Sequence, residues 1–421
     1  MPRTTTKFLL LALAVCAAGC GSVEDPVLTL NGRNVAEDAL AGREATTAAF
    51  EELESGDAQG FLSLMIRADS LRPQHPTVRF HLARAYALNG LTEEAVAVLG
   101  ALSGAGMRVR LADPAFDVLR SDSRFQGFKA EQEVLAIPRV HSRQAWQGRD
   151  ADLLPEGIAR MPDGWRFGSV HKSRIVTGAN RSWVRTDGYS AMGMEWDGEW
   201  LWAAQTMTAE GGARASRIGQ SRVVAYDQEG RERAIFVPQD RLEHWFGDLT
   251  IAPDGVVIVS DSRAPGLYRI VNGYLMPWVT GEPFVSPQGL AWLDGSLYVA
   301  DYSVGLFRIN PKAGTIRWME TPPGTVLMGI DGLEAGGGYL WGIQNGTNPT
   351  RVVRIRVSGD RVREVKAFDV GHPDHSDPTL GVVRNDTLFY VANSQWPLFA
   401  PEADDALRQL PIVLALPLDA E

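Results

Sequence analysis

Four oxygen-bearing residues hold one place in a motif that this chain repeats. Glu156 precedes Gly157, Asp248 precedes Leu249, Gln288 precedes Gly289 and Asp331 precedes Gly332. Met192 and Leu380 hold that place in two further copies. Carboxylates gathered on one axis repel each other and are costly to bury unpaired. A bound cation is the simplest remedy, and all-oxygen donors suit Ca²⁺ or another hard divalent ion. The same groups would also serve to solvate a wet channel or to accept backbone hydrogen bonds.

The elements that position these residues are short strands. From Pro287, PQGLAWLDGSLYVADYSVGLFRI holds three apolar runs separated by Asp294-Gly295 and by a turn from Asp301 to Gly305. Alternation along LYVA and LFRI favours half-buried strands, and Asp-Gly favours a tight hairpin. Copies read EGIARMPDGWRFGSV from Glu156, GMEWDGEWLWAA from Gly193, DLTIAPDGVVIVSD from Asp248, DGLEAGGGYLWGIQN from Asp331 and LGVVRNDTLFYVAN from Leu380. A repeat of about forty to fifty residues with this pattern predicts a β-propeller whose inner strands line an axial channel. The last unit lacks an outer strand, and Arg139 to Trp146 is predicted to supply it, closing the ring without an open edge. Insertions from Thr206 and Pro397 should be loops.

PEGIA, PQGLAWLDGSLYVAD and the Asp331-Gly332 pair resemble the senescence marker protein, gluconolactonase and paraoxonase-like superfamily of six-bladed propellers, over about residues 139–421. The resemblance implies a divalent cation held by a Glu in the first sheet, Asn residues in the middle sheets and an Asp in the fifth. It also implies hydrolysis of a lactone or ester by the metal and the Asp. Carried over, Glu156 and Asp331 match and become the catalytic pair; Asp248 and Gln288 stand where the family has Asn. The extra methylene of Gln288 displaces its carbonyl and puts hydrolysis in doubt. The metal set is therefore Glu156, Asp248, Gln288 and Asp331, with Ca²⁺ the expected ion. Secondary candidates are His171, Asn345, Asn393 and Trp396, which follow second strands and would face a small-molecule substrate at a channel mouth; Trp396 fits packing between sheets equally well. His372 and His375, in GHPDHSDP, have ligand types at close spacing but read as a solvent-exposed loop. GxSxG, HExxH, CxxC and a phosphate loop are absent, which disfavours serine hydrolase, zincin, redox and nucleotide chemistry.

Residues 35–134 change to a helical code, with Ala and Leu at spacings of three and four. A period of 34 pairs Ala49 with Ala83, Gly56 with Gly90, Met65 with Leu99 and Ala68 with Leu102. The pattern resembles a tetratricopeptide repeat, followed by a capping helix from about Pro114. Such an array implies either a peptide-binding groove or a structural adaptor.

The first residues read as an export signal. Arg3 and Lys7 precede a short apolar run, Phe8 to Ala18, which is too short to be a final membrane anchor. Ala17-Ala18-Gly19-Cys20 resembles the lipobox of bacterial lipoproteins, with Cys20 lipidated; an ordinary cleaved signal peptide also fits the small residues. Gly21-Ser22 lack the aspartate of inner-membrane retention, which favours an outer-membrane anchor facing the periplasm. The net charge of −10, with no basic run after the signal, disfavours nucleic-acid binding.

The expected organisation is thus a signal peptide (1–19), a linker carrying Cys20 (20–34), a tetratricopeptide-like α-helical domain (35–134) and an all-β six-bladed propeller (135–421). Two function classes follow: a lipid-anchored, metal-dependent lactone or ester hydrolase, or a non-catalytic binding or scaffold protein whose repeats and propeller rim hold a protein or peptide partner.

Overall fold

The computed structural model describes residues 28–420. The expected signal peptide and Cys20 lie outside the described residues. From residue 143 onward the chain forms six sheets, each built on four strands. In the fourth these are Pro287–Leu293, Ser296–Asp301, Gly305–Asn310 and Thr315–Trp318, in that order from the axis outward. Asp294 and Gly295, with φ of 49° and 72°, make the hairpin between its first two strands. Second strands are buried on both faces, as in Ser296–Asp301, because successive sheets pack face to face.

Five of the six inner strands carry a register shift at the axial position, between Pro155 and Ile158, Ala191 and Met194, Phe246 and Leu249, Pro287 and Leu290, and Ile330 and Gly332. A bulge re-aims the side chain it carries. The glycine at the bulge answers a close approach. A Cβ on Gly157 would stand 2.0 Å from the Met192 carbonyl oxygen, and one on Gly332 2.6 Å from that of Thr379. The repeated glycine is therefore a requirement of ring closure.

The ring is clasped as the sequence suggests, with a small change of bounds. Arg143–Gln147 pairs antiparallel with the last strand, Ile412–Pro417, while Arg139 makes a lone bridge to Val370. Trp146 stacks on Phe167 at 4.0 Å and donates its indole N–H to the Gly178 carbonyl at 2.7 Å. The clasp thereby binds the last sheet to the first.

Among the described residues, five α-helices precede the clasp: α1 Val35–Ser55, α2 Ala58–Leu71, α3 Pro76–Leu88, α4 Thr92–Gly104 and α5 Ser123–Leu135. The 34-residue period recurs in burial: Ala49 and Ala83, Met65 and Leu99, Ala68 and Leu102 are all inaccessible. Gly56 and Gly90 both take the left-handed conformation that ends a helix. The helices are bound to the propeller. Arg351 donates from Nη1 to the Ala105 carbonyl at 3.1 Å, and Leu102 and Met107 pack on Val326. Within the expected linker, Thr29–Leu30 adds a parallel strand to Thr315–Trp318, and Val35 joins the core of the fourth sheet. The contacted loops, such as 302–304 and 345–350, lie at the end where inner strands begin. Glu156 and Asp331 lie at that same end.

Candidate functional site

Glu156 projects from the bulge of the first inner strand and is 6% exposed. Its Oε2 accepts from the Trp396 indole at 2.7 Å and from the Ser394 hydroxyl at 3.1 Å. Burial, then the charges of Asp331 and Asp377, hold its carboxyl well above the usual range, against the pull of those two donors. Asp331, near the start of the fifth inner strand, accepts from the Asn345 amide at 2.8 Å. Burial, reinforced by Asp377, pushes it up to about 7, with Asn345 opposing. Asp377 is itself raised by burial, offset by the backbone N–H of Trp396. Tyr302 is pushed up to about 12, first by burial and then by Asp331 and Asp377. The groups that offset burial of Glu156 and Asp331 are neutral donors. Asn345 Oδ1 is buried without a donor, so the cluster has an unused carbonyl oxygen beside its carboxylates.

The other two expected ligands point elsewhere. Asp248 Oδ2 accepts from the Leu290 N–H of the next inner strand at 3.1 Å. Burial pushes its pKa to about 8, with the charges of Glu195 and Asp331 adding and the Leu290 and Leu249 N–H groups opposing. Gln288 lies over the preceding sheet; its amide oxygen is 2.7 Å from where a Cβ of Gly247 would stand. Among the described residues, no three His, Cys, Asp or Glu side chains gather closely enough to hold a metal ion. The structure thus couples Asp331 electrostatically to Glu156 and to Asp248, while Gln288 lies over Gly247.

Asp248 belongs to a second pattern, which the sequence analysis missed. Glu195 Oε2 accepts from Ile251 N–H at 3.0 Å, and Glu334 Oε2 from Val383 N–H at 3.3 Å. In each case a carboxyl on one inner strand accepts from the backbone of the next. Burial is the main cause that raises both, Glu195 to about 7 and Glu334 well above the usual range. With Asp248 and Arg384 they line a chamber of about 200 Å³ farther along the channel. The available signal was spacing: Glu195 and Glu334 each stand three residues beyond the axial position.

The secondary candidates brace the mouth. His171 donates from Nδ1 to the Glu210 carbonyl at 2.7 Å and packs against Phe399. Asn393 is inaccessible; it donates to the Leu410 carbonyl and accepts from Ile412 N–H, fixing the insertion that carries Trp396. Trp396 approaches Trp245, with ring centroids 6.2 Å apart, and covers Glu156. His372 and His375 correct the expectation of an exposed loop: His372 is 7% exposed, and His375 pairs with Tyr390 and Thr350. Asn345 and Asp377 enter the cluster through strand ends that the ring brings together.

No family model matches this chain, and no curated protein does. Among solved structures it is similar to a glucose dehydrogenase-type oxidoreductase from Thermus thermophilus, at 16% identity and a TM-score of 0.47, over 66% of this chain and all of that one. It is also similar to a protein described as a gluconolactonase, at 15% identity and a TM-score of 0.46, over 68% of this chain and 99% of the other. A virginiamycin B lyase from Staphylococcus aureus matches at 17% identity and a TM-score of 0.43, over 58% and 79% of the two chains. Likeness at this level carries no activity across. The propeller assignment rests on the six sheets and their closure.

Proposed function

We propose that the channel mouth hydrolyses a lactone or ester, with Asp331 exchanging the proton and Glu156 as its fixed carboxyl partner. One observation carries this reading: Asp331, at about 7, can take and return a proton near neutral pH, where general acid–base catalysis is most effective. Water adds to the substrate carbonyl as Asp331 accepts its proton. The proton returns to the leaving alkoxide as the C–O bond breaks. The Asn345 amide, donating to Asp331, holds the carboxyl in orientation, and the Trp396 indole shields Glu156 from water.

A hard divalent cation fits the donor chemistry. Glu156 and Asp331 would hold it with Asn345, whose carbonyl oxygen lacks a donor. Such an ion, Ca²⁺ first among them, would polarise a carbonyl, compensate neighbouring carboxylates and hold Asp331 ionised, as the form that accepts the proton of water. Asp248 is left out of this set because its Oδ2 is engaged by the Leu290 N–H, and Gln288 because its amide oxygen lies over Gly247.

The test is turnover of a panel of lactones and aryl esters, with and without Ca²⁺. The wild-type protein should hydrolyse at least one, and Asp331→Asn should lower kcat by about a hundredfold or more. No turnover across the panel, or an unaffected Asp331→Asn variant, overturns the reading. The alternative, a binding or scaffold protein, is favoured by the helices bound to the loops on the mouth's side of the ring. We extend the proposal to export and lipid anchoring at Cys20, on sequence alone. Cys20→Ser should release the protein from membranes; normal cleavage with retention in the membrane fraction would contradict it.

A further inference from the structure

A cleft opens where α3 and residues 107–113 meet the loop 346–348 of the fifth sheet. Its volume is about 660 Å³, which is ample for a small organic ligand. Pro76, Phe80 and Met107 supply an apolar wall, and Arg84, Arg108 and Arg110 supply charge. The chain as a whole carries a net charge of −10, so this is a local reversal of sign.

The cations of the cleft are only partly paired. Arg84 Nε forms an ion pair with Asp113 Oδ2 at 3.3 Å, without a hydrogen bond. Asp113 meanwhile caps the Ala115 N–H at 3.0 Å. His81 Nδ1, also in the cleft, is buried without a partner. Among the described residues, no carboxylate lies within ion-pair distance of Arg108 or Arg110, and both are exposed. An anionic oxygen in the cleft would meet the exposed guanidinium groups of Arg108 and Arg110, and the planar guanidinium fork suits carboxylate and phosphate.

We propose that this cleft binds a small organic anion, a carboxylate or phosphate ester with an apolar body. The anionic end faces the arginines, and the body lies against Phe80 and Met107. The site adjoins the axial cluster through one loop: Arg108 N–H donates to the Asn348 carbonyl at 2.7 Å, three residues beyond Asn345. It does not depend on what Asp331 does.

The experiment is calorimetric titration of the full chain with phenyl phosphate, beside inorganic phosphate, benzyl alcohol and a glutamate-rich peptide. Phenyl phosphate should bind saturably, inorganic phosphate more weakly, and benzyl alcohol not at all. Arg108→Ala with Arg110→Ala should weaken phenyl phosphate by about tenfold or more with an unchanged thermal transition, since both side chains are exposed. Asp331→Asn should leave this binding intact. The proposal is overturned if the double variant binds as well as wild type, if Asp331→Asn abolishes binding, or if benzyl alcohol competes equally. It is also overturned by no saturation at millimolar phenyl phosphate, or by binding of the peptide alone.

Discussion

Asp331 and its neighbours make a pH-dependent statement about stability. Its pKa rises from 3.8 in the unfolded chain to about 7 in the fold. The folded state therefore holds the proton more tightly. The resulting stability is complete below about 4 and is lost as pH rises through about 7. Asp248 at about 8 and Glu195 at about 7 act with the same sign. The unfolding midpoint should fall from pH 4 to 8 in metal-free protein, and Asp331→Asn should flatten part of that slope; an unchanged slope in the variant would contradict the burial of Asp331. Trp396→Phe keeps an aromatic ring but removes the donor to Glu156. It should cost about 1 kcal/mol, as for one lost hydrogen bond, because the Ser394 hydroxyl still donates to the same oxygen; chemical denaturation would measure it. Glu156 and Asp331 were legible because a repeated glycine marks their place. The stitching carboxyls were not, because their partners are backbone N–H groups on another sheet, which no residue type announces. Asp377 lies in the same GHPDHSDP segment as the histidines, and only the packing of the sixth sheet on the fifth brings it near Asp331.

Strand order was largely legible from alternation and from the Asp-Gly turn. The clasp was legible by accounting, since a last unit with three strands needs a fourth. Its start was misplaced because Arg139 pairs with Val370 rather than with the last strand. Trp146→Ala removes both the stack on Phe167 and the bond to Gly178. We expect a loss of about 3 kcal/mol in urea denaturation, and a wild-type midpoint would show that the clasp contributes little. Gly157→Ala should cost about 1–3 kcal/mol through overpacking, because its Cβ would meet the Met192 carbonyl. The orientation of Trp396 was not legible: it depends on an insertion fixed by Asn393, Gln395 and Gln409.

On the scale of the whole molecule, helices and propeller are joined by polar and apolar contacts. Arg351 reaches Ala105, Leu102 and Met107 cover Val326, and Val35 enters the fourth-sheet core. The sequence marked the two architectures but not the residues that join them, since none of these departs from its own element's pattern. A chain beginning at Pro138 should keep the clasp and fold with a lower midpoint, whereas one beginning at Gly148 should not fold; equal midpoints would exclude the clasp as the closing element. The arrangement places helices, insertion and buried carboxyls at one end of the ring, and the account stands on that cluster being a cation-compensated site. Calorimetric titration of metal-stripped protein with Ca²⁺ tests it most directly. The account predicts saturable binding that Asp331→Asn and Glu156→Gln each abolish, with stabilisation of about 2.7 kcal/mol at a hundredfold excess over Kd. Absence of binding at millimolar Ca²⁺, Mg²⁺, Mn²⁺ and Zn²⁺, or binding that both variants retain, would contradict it.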